Sequence, residues 1–139
     1  MGKYDNGYFE TRYNALYAAY RKACRRSDVR SHKEAIIAAV NSPSPSFGIT
    51  PGEAYRQVLR LLKGRPPSYK EGSVRRKIAF DLFDEYNRLR AIPAFRNSTI
   101  EYLASFVALS GAPKFYMSYS RARKIIDAMK KKRRNERKH

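Results

Sequence analysis

One stretch of the sequence occurs twice in similar form, and this internal repetition limits the possible folds more than any other feature. Setting Pro113 under Pro45 aligns two stretches without a gap, at an offset of 68 residues. In this alignment Phe115 falls on Phe47, and the residues that follow keep their apolar, basic and small character. A fixed offset of this size in a chain of 139 residues predicts a duplicated unit.

The first half of the chain has the pattern of three helices. Apolar residues recur at spacings of three and four between residues 9 and 26, which is typical of a helix. Ser31 followed by Glu34, and Thr50 followed by Glu53, are capping boxes that predict the start of a second and a third helix. Proline and glycine residues separate the second helix from the third and end the third.

The second half follows the same plan. Leu82 aligns with Leu16 at an offset of 66. The pair Ser98 and Glu101 aligns with the pair Ser31 and Glu34 at an offset of 67. The drift of the offset from 66 to 68 predicts one-residue insertions in two loops. No segment shows the alternation of a β-strand, so we predict an all-α fold of about six helices.

The proposed division follows from this plan. We predict a first three-helix unit at residues 1–66, a second at 67–129, and a basic tail at 130–139. Phe47 and Phe115 are expected to be buried between the second and third helices of their units. Each unit also resembles a helix-turn-helix element, although the turn is longer than usual.

Charge is the strongest indication of a partner. The chain has 30 Lys and Arg against 12 Asp and Glu, a net charge of +18, which favours a polyanion such as nucleic acid. A single cysteine, Cys24, excludes an internal disulfide, and no apolar run is long enough to span a membrane. We therefore expect a cytoplasmic protein with no membrane partner, associated with the nucleoid or with a phage particle.

The last predicted helix opens with Arg121, Arg123 and Lys124, where a helix dipole disfavours cations unless an anion lies among them. This pattern predicts a phosphate contact at that helix end. The basic tail is expected to stay mobile until it meets a polyanion. The other candidate nucleic-acid contacts are Lys130, Lys131, Lys132, Arg133, Arg134, Arg56, Arg60, Arg25 and Arg26.

Catalytic chemistry is not expected. Asp81, Asp84 and Glu85 lie on one helical flank, but Lys77 and Arg88 stand at i,i+4 spacings that predict ordinary ion pairs. His32 is expected to be exposed, and Cys24 to be a small core residue. With no phosphate-binding glycine loop, zinc spacing or nucleophile–base motif, we predict no enzyme activity, no cofactor and no metal.

The two turns "SPSPSFGIT" and "GAPKFYMS" also carry a resemblance. Each closes one capped helix and opens another, and they resemble a signature in small basic hypothetical proteins of gut bacteria, their mobile elements and phages. Gly48 departs from the aromatic residue expected beside Phe47. The resemblance implies a mobile-element or phage setting and no particular function.

Three functions remain open from the sequence. The leading prediction is a non-enzymatic nucleic-acid-binding protein, with DNA favoured over RNA and with mainly phosphate contacts. The second is a structural or assembly protein that binds an acidic protein or a packaged genome, for example in a phage particle. The third is an RNA-binding accessory protein.

Overall fold

A computed structural model describes residues 5–137, and this part of the chain is all-α, as predicted. It contains six α-helices and one short 3₁₀ helix, and no β-sheet occurs within it. The α-helices are α1 (Asp5–Cys24), α2 (His32–Val40), α3 (Pro51–Leu62), α4 (Val74–Arg90), α5 (Ile100–Ala108) and α6 (Tyr119–Arg137), and the 3₁₀ helix is Pro93–Phe95.

Hydroxyl side chains set the starts of these helices. The Ser31 and Thr50 oxygens accept hydrogen bonds from the backbone N–H groups of Glu34 and Glu53, at 3.1 and 3.3 Å, which confirms two predicted N-caps. Pro51 occupies the first turn of α3, where its missing N–H costs nothing.

The predicted N-cap of α5 is wrong by one residue. Thr99, not Ser98, accepts the hydrogen bond, from the backbone N–H of Tyr102 at 3.0 Å. Thr99 lies 68 residues after Ser31, so the offset is already 68 at this helix. The α1–α2 connection has seven residues and the α4–α5 connection has nine. The change of offset therefore comes from one connection that is longer by two residues, and not from the two predicted one-residue insertions.

The six helices form two compact units that differ from the predicted sequential division. One unit combines α1 and α2 with α6, and the other, Pro45–Ala112, combines α3, α4 and α5. The predicted boundary near residue 66 therefore lies inside a compact unit. The sequence could not show this, because the main apolar positions of α3 and α6 match at the offset of 68 and do not indicate which helices each one packs against.

The first unit, with α1, α2 and α6, has a core built around Phe115. This residue is fully buried with Leu16, Ile36 and Ile126. Its backbone N–H donates to the Val40 carbonyl at 3.0 Å, so the turn before α6 is fixed to the end of α2.

The second unit, with α3, α4 and α5, has a core built around Phe47, which is 2% exposed. The Phe47 N–H donates to the Ala108 carbonyl, at 3.2 Å, at the end of α5. Leu82 and Leu103 complete this core. The predicted burial of Phe47 and Phe115 is confirmed.

Candidate nucleic-acid interface

The predicted contact residues are distributed unequally between the two units. Ten of the twelve belong to the unit of α1, α2 and α6, and only Arg56 and Arg60 belong to the other. Counted from the sequence, the first unit has 19 Lys and Arg against 6 Asp and Glu, a net +13, and the second has 11 against 6, a net +5. Most of the chain's +18 therefore lies in the unit that contains α6.

The first turns of α6 hold the three cations predicted to contact phosphate. Ser118 precedes the helix, and its side-chain oxygen accepts from the Arg121 N–H at 3.2 Å. The Arg121 guanidinium donates to the Tyr13 hydroxyl of α1 at 2.8 Å, which fixes its position on the surface. Arg123 faces Asp127 at 3.6 Å, a carboxylate that the sequence prediction overlooked although it lies at i,i+4. Lys124 is exposed.

The predicted mobile tail is wrong for the residues that the structure describes. Residues 130–137 continue α6 without a break, so there is no separate tail before residue 138. Like charges at i,i+4 weaken an isolated helix, and this segment therefore needs other contacts to stay helical.

Two tyrosine rings of α1 supply those contacts. The Lys130 ammonium lies 4.8 Å from the Tyr20 ring centre, and the Arg133 guanidinium lies 4.7 Å from the Tyr17 ring centre. Tyr20 is 6% exposed and Tyr17 is 8% exposed, so these are cation–π contacts against a largely buried surface. A hydrogen bond with the Tyr20 hydroxyl also raises the pKa of Lys130. The two tyrosines are three residues apart in α1, and the two cations are three residues apart in α6. This equal spacing was the signal in the sequence that could have revealed the pairing.

The outer side of α6 is cationic. Lys124 and Lys131 are seven residues apart and therefore share one side of the helix, opposite the buried Ala122 and Ile126. Lys131, Lys132 and Arg134 are exposed. Among the described side chains, those of residues 10–137, none of these four cations has a carboxylate partner within 4.0 Å.

The other predicted contacts are partly engaged within the protein. Arg26 pairs with Asp28 through two hydrogen bonds of 3.0 and 2.6 Å, whereas the neighbouring Arg25 is exposed. Arg56 pairs with Glu53, and the Arg60 Nε donates to the Pro66 carbonyl at 2.9 Å.

Ion pairs engage two of the three carboxylates on the acidic flank of α4, and Cys24 is not a core residue. Lys77 pairs with Asp81 at 3.8 Å, but Arg88 binds Glu85 rather than the predicted Asp84. Cys24 is exposed, and the adjacent Ala23 occupies the core position that was predicted for Cys24. His32 is exposed as expected, with the Tyr20 hydroxyl 3.0 Å from its Nδ1 and Asp127 3.5 Å from its Nε2.

The described residues offer no candidate for a metal site or a membrane-spanning helix. No group of three or more His, Cys, Asp or Glu side chains that could hold a metal occurs among the side chains described, those of residues 10–137. None of the helices in that range has the length and apolar character needed to cross a membrane. Comparison of the chain with protein-family models, curated proteins and solved structures gives no significant match.

Proposed function

We propose that this chain is a non-enzymatic nucleic-acid-binding protein that binds duplex DNA through the outer side of α6. The observation that carries this proposal is a continuous basic helix whose Lys124, Lys131, Lys132 and Arg134 are exposed without carboxylate partners in the described chain. Cations free of internal ion pairs can neutralise phosphates and release counterions, which drives binding to DNA.

The anchoring of α6 supports a preformed binding surface. Lys130 and Arg133 lie against Tyr20 and Tyr17, so the outer cations are held on a rigid helix before any ligand arrives. Arg121, positioned by Tyr13, extends the basic surface to the start of the helix. From Arg121 to Arg134 the cations extend over about 20 Å of helix.

Helix geometry favours DNA over RNA as the ligand. The major groove of B-DNA is about 12 Å wide and accepts an α-helix, whereas the major groove of an RNA duplex is deep and narrow. Phosphate contacts from lysines carry little sequence information, so we expect modest sequence preference. We place the protein in the cytoplasm, with the nucleoid or a phage genome, and the mobile-element setting implied by the two turns belongs to this proposal.

A salt titration with three ligands tests the proposal. Fluorescence anisotropy should give the tightest binding to duplex DNA, weaker binding to single-stranded DNA, and weaker binding to a structured RNA of equal length. The logarithm of the association constant should fall linearly with the logarithm of salt concentration. Affinity that is independent of salt, or tightest for RNA, would refute the proposal for DNA.

A second function, in assembly with a protein partner, is favoured by one feature of the second unit. Tyr102 and Phe106 of α5 and Leu109 at its C-cap form an apolar stripe, and they are 57%, 41% and 47% exposed. The positions 68 residues earlier are Glu34, Ala38 and Asn41, so the other unit has no large apolar side chain at the matching positions. This stripe would bind a protein surface, and not a nucleic acid.

We also propose that the two units arose by duplication. Supporting observations are the N-caps Ser31 and Thr99 and the burial of Phe115 and Phe47. The backbone N–H groups of these two phenylalanines also make matching hydrogen bonds, from Phe115 to the last residue of α2 and from Phe47 to the last residue of α5. In this proposal the unit of α6 specialised for phosphate contact, since it carries +13 of the net charge.

A further inference from the structure

The second unit contains a cavity of about 410 Å³ beside the C-terminal half of α3. It lies between this helix and the connection that follows it, and its lining includes Arg56, Gln57, Arg60, Lys63, Arg65 and Ser68. Its volume is within the range of small-molecule binding sites.

Backbone geometry creates the cavity by turning the chain at the end of α3. Gly64 has a left-handed φ of 74°, and the Arg65 N–H donates back to the Arg60 carbonyl at 2.9 Å. This arrangement is a glycine-dependent helix end, after which the chain returns alongside α3.

Hydrogen bonds hold the returning chain in place. Gln57 is only 2% exposed, and its Nε2 donates to Glu53 Oε1 and Ser68 Oγ, both at 2.8 Å. The Ser68 N–H donates to Gln57 Oε1 at 3.1 Å, and Arg60 Nε donates to the Pro66 carbonyl. The wall of the cavity is therefore fixed by hydrogen bonds at two points.

The lining has a clear excess of positive charge. It holds four cations and one carboxylate, and this carboxylate, on Glu53, already accepts from Arg56 and Gln57. Arg60, Lys63 and Arg65 have no carboxylate partner within 4.0 Å in the part of the chain that the structure describes. Unneutralised cations around a concave surface attract an anion.

The aligned helix shows that three-helix packing does not require this cavity. In α6 the positions that align with Gln57 and Arg60 are Ile125 and Ala128, and α6 continues as a helix through the position that aligns with Gly64. The helix dipole would by itself favour cations in the last turn of α3. It does not explain why the buried Gln57 fixes the connection that follows this helix.

We propose that this cavity binds a phosphate group. Arg60 and Arg65 would donate hydrogen bonds to the phosphate oxygens, and Lys63 would add a point charge. A phosphate group reaches such a site either on a small anion, such as a nucleotide, or as part of a nucleic-acid backbone. The site depends on neither α6 nor its proposed DNA contacts, so it can be tested separately from them.

Calorimetric titration of the full chain with pyrophosphate, at low salt, tests the site directly. The triple variant Arg60→Gln, Lys63→Gln, Arg65→Gln removes the unpaired cations of the cavity. The variant Lys70→Gln, Arg75→Gln, Arg96→Gln removes the same charge from the same unit outside the cavity lining. We expect saturable binding by wild type and by the control, and a loss of about tenfold or more in the cavity variant.

A second arm with duplex DNA distinguishes the source of the phosphate. If pyrophosphate does not bind but the cavity variant loses about tenfold more DNA affinity than the control, the site takes a backbone phosphate. If neither ligand distinguishes the two variants, the phosphate site is refuted, even where wild type binds DNA. Saturable pyrophosphate binding by a protein that fails to bind DNA would uphold the site and refute the function proposed for α6.

Two further variants keep the test independent of folding. Lys63→Gln with Arg65→Gln leaves the Arg60 contact with Pro66 intact, and should still lose most of the affinity for phosphate. Gln57→Leu removes the hydrogen bonds to Ser68 and should weaken binding while all four cations remain. Unchanged pyrophosphate affinity in both variants would overturn the proposal.

Discussion

Gly48 and Tyr116, which align at the offset of 68, both have left-handed backbone conformations, with φ of 79° and 54°. Each follows a buried phenylalanine, in the turn that leads to α3 or α6. Glycine adopts this conformation without steric cost, whereas a residue with a Cβ does not. The aromatic residue that the sequence led us to expect at position 48 would therefore be strained, as Tyr116 is.

Gly48→Ala should lower the free energy of unfolding by about 1–2 kcal/mol, because alanine is strained at a positive φ. Gly52→Ala is the matched control, since Gly52 lies inside α3 and an added Cβ there has no heavy atom within 4 Å. The control should be neutral or more stable by about 0.5–1 kcal/mol. Urea denaturation followed by circular dichroism measures the free energy of unfolding of both variants. Equal changes in this free energy for Gly48→Ala and Gly52→Ala would contradict the role of the turn.

The grouping of α6 with α1 and α2, and of α3 with α4 and α5, predicts which fragments fold. A fragment of residues 45–112 contains all three helices of one compact unit, so it should unfold cooperatively and show dispersed amide signals by NMR. A fragment of residues 1–66 contains α3 without α4 and α5, and lacks α6. It should show little cooperative structure, and a stable 1–66 fragment with an unstable 45–112 fragment would contradict the observed grouping.

Local features of the fold followed from the sequence, and the pairing of distant helices did not. The caps Ser31 and Thr50 and the burial of Phe47 and Phe115 depend on short-range chemistry that a pattern reveals. The grouping of helices could not be inferred, since α3 and α6 carry interchangeable apolar patterns.

The candidate site shows the same limit. The cations of residues 130–134 were identifiable from composition, but the rings that contact two of them, on Tyr17 and Tyr20, lie more than 100 residues earlier. Similarly, the apolar periodicity of α1 did not show whether Cys24 or Ala23 is buried. Adjacent residues are separated by only 100° around the helix axis, so two neighbours at the edge of an apolar face are hard to tell apart. Only the packing determines which of the two is buried.

Acid should reveal the contribution of Glu53. Burial opposes its ionisation, but hydrogen bonds from Arg56 and Gln57 hold its pKa below the ordinary value of 4.5. A carboxylate with a lowered pKa in the folded state stabilises the fold above its unfolded pKa, and this stabilisation is lost as the pH falls through the folded pKa. Glu53→Gln should therefore lower the melting temperature at neutral pH, with a difference from wild type that shrinks below pH 4.5.

Melting curves recorded from neutral to acid pH measure this difference. Glu71→Gln, which removes an exposed carboxylate from the same unit, is the control. A gap between wild type and Glu53→Gln that stays constant as the pH falls would show that the charge of Glu53 does not contribute.

Two double variants of α6 separate anchoring from binding. Lys130→Ala with Arg133→Ala removes the cations that lie over the tyrosine rings, and hydrogen exchange should become faster in residues 130–137. Lys131→Ala with Arg134→Ala removes equal charge from exposed positions, and should weaken DNA binding while exchange in this segment changes less. Equal exchange rates in the two variants would contradict the anchoring role of Tyr17 and Tyr20.

Arg121→Glu tests whether the start of α6 contacts phosphate. The Ser118 hydroxyl already caps this helix, so a glutamate three residues later can complete a capping box, while the hydrogen bond to Tyr13 is lost. We expect a small change in melting temperature and a loss of DNA affinity of about tenfold or more, because a donor to phosphate is replaced by a negative charge.

Arg25→Glu is the control for that experiment, since Arg25 is exposed near the end of α1 and its reversal changes the net charge equally. Nonspecific attraction by the whole protein predicts equal losses of affinity for the two reversals, whereas a contact at the start of α6 predicts a clearly larger loss for Arg121→Glu. Tyr13→Phe removes only the hydroxyl that positions Arg121, so it should give a smaller loss with no change in charge. Equal losses for both reversals at one salt concentration would exclude the start of α6 as a specific phosphate contact.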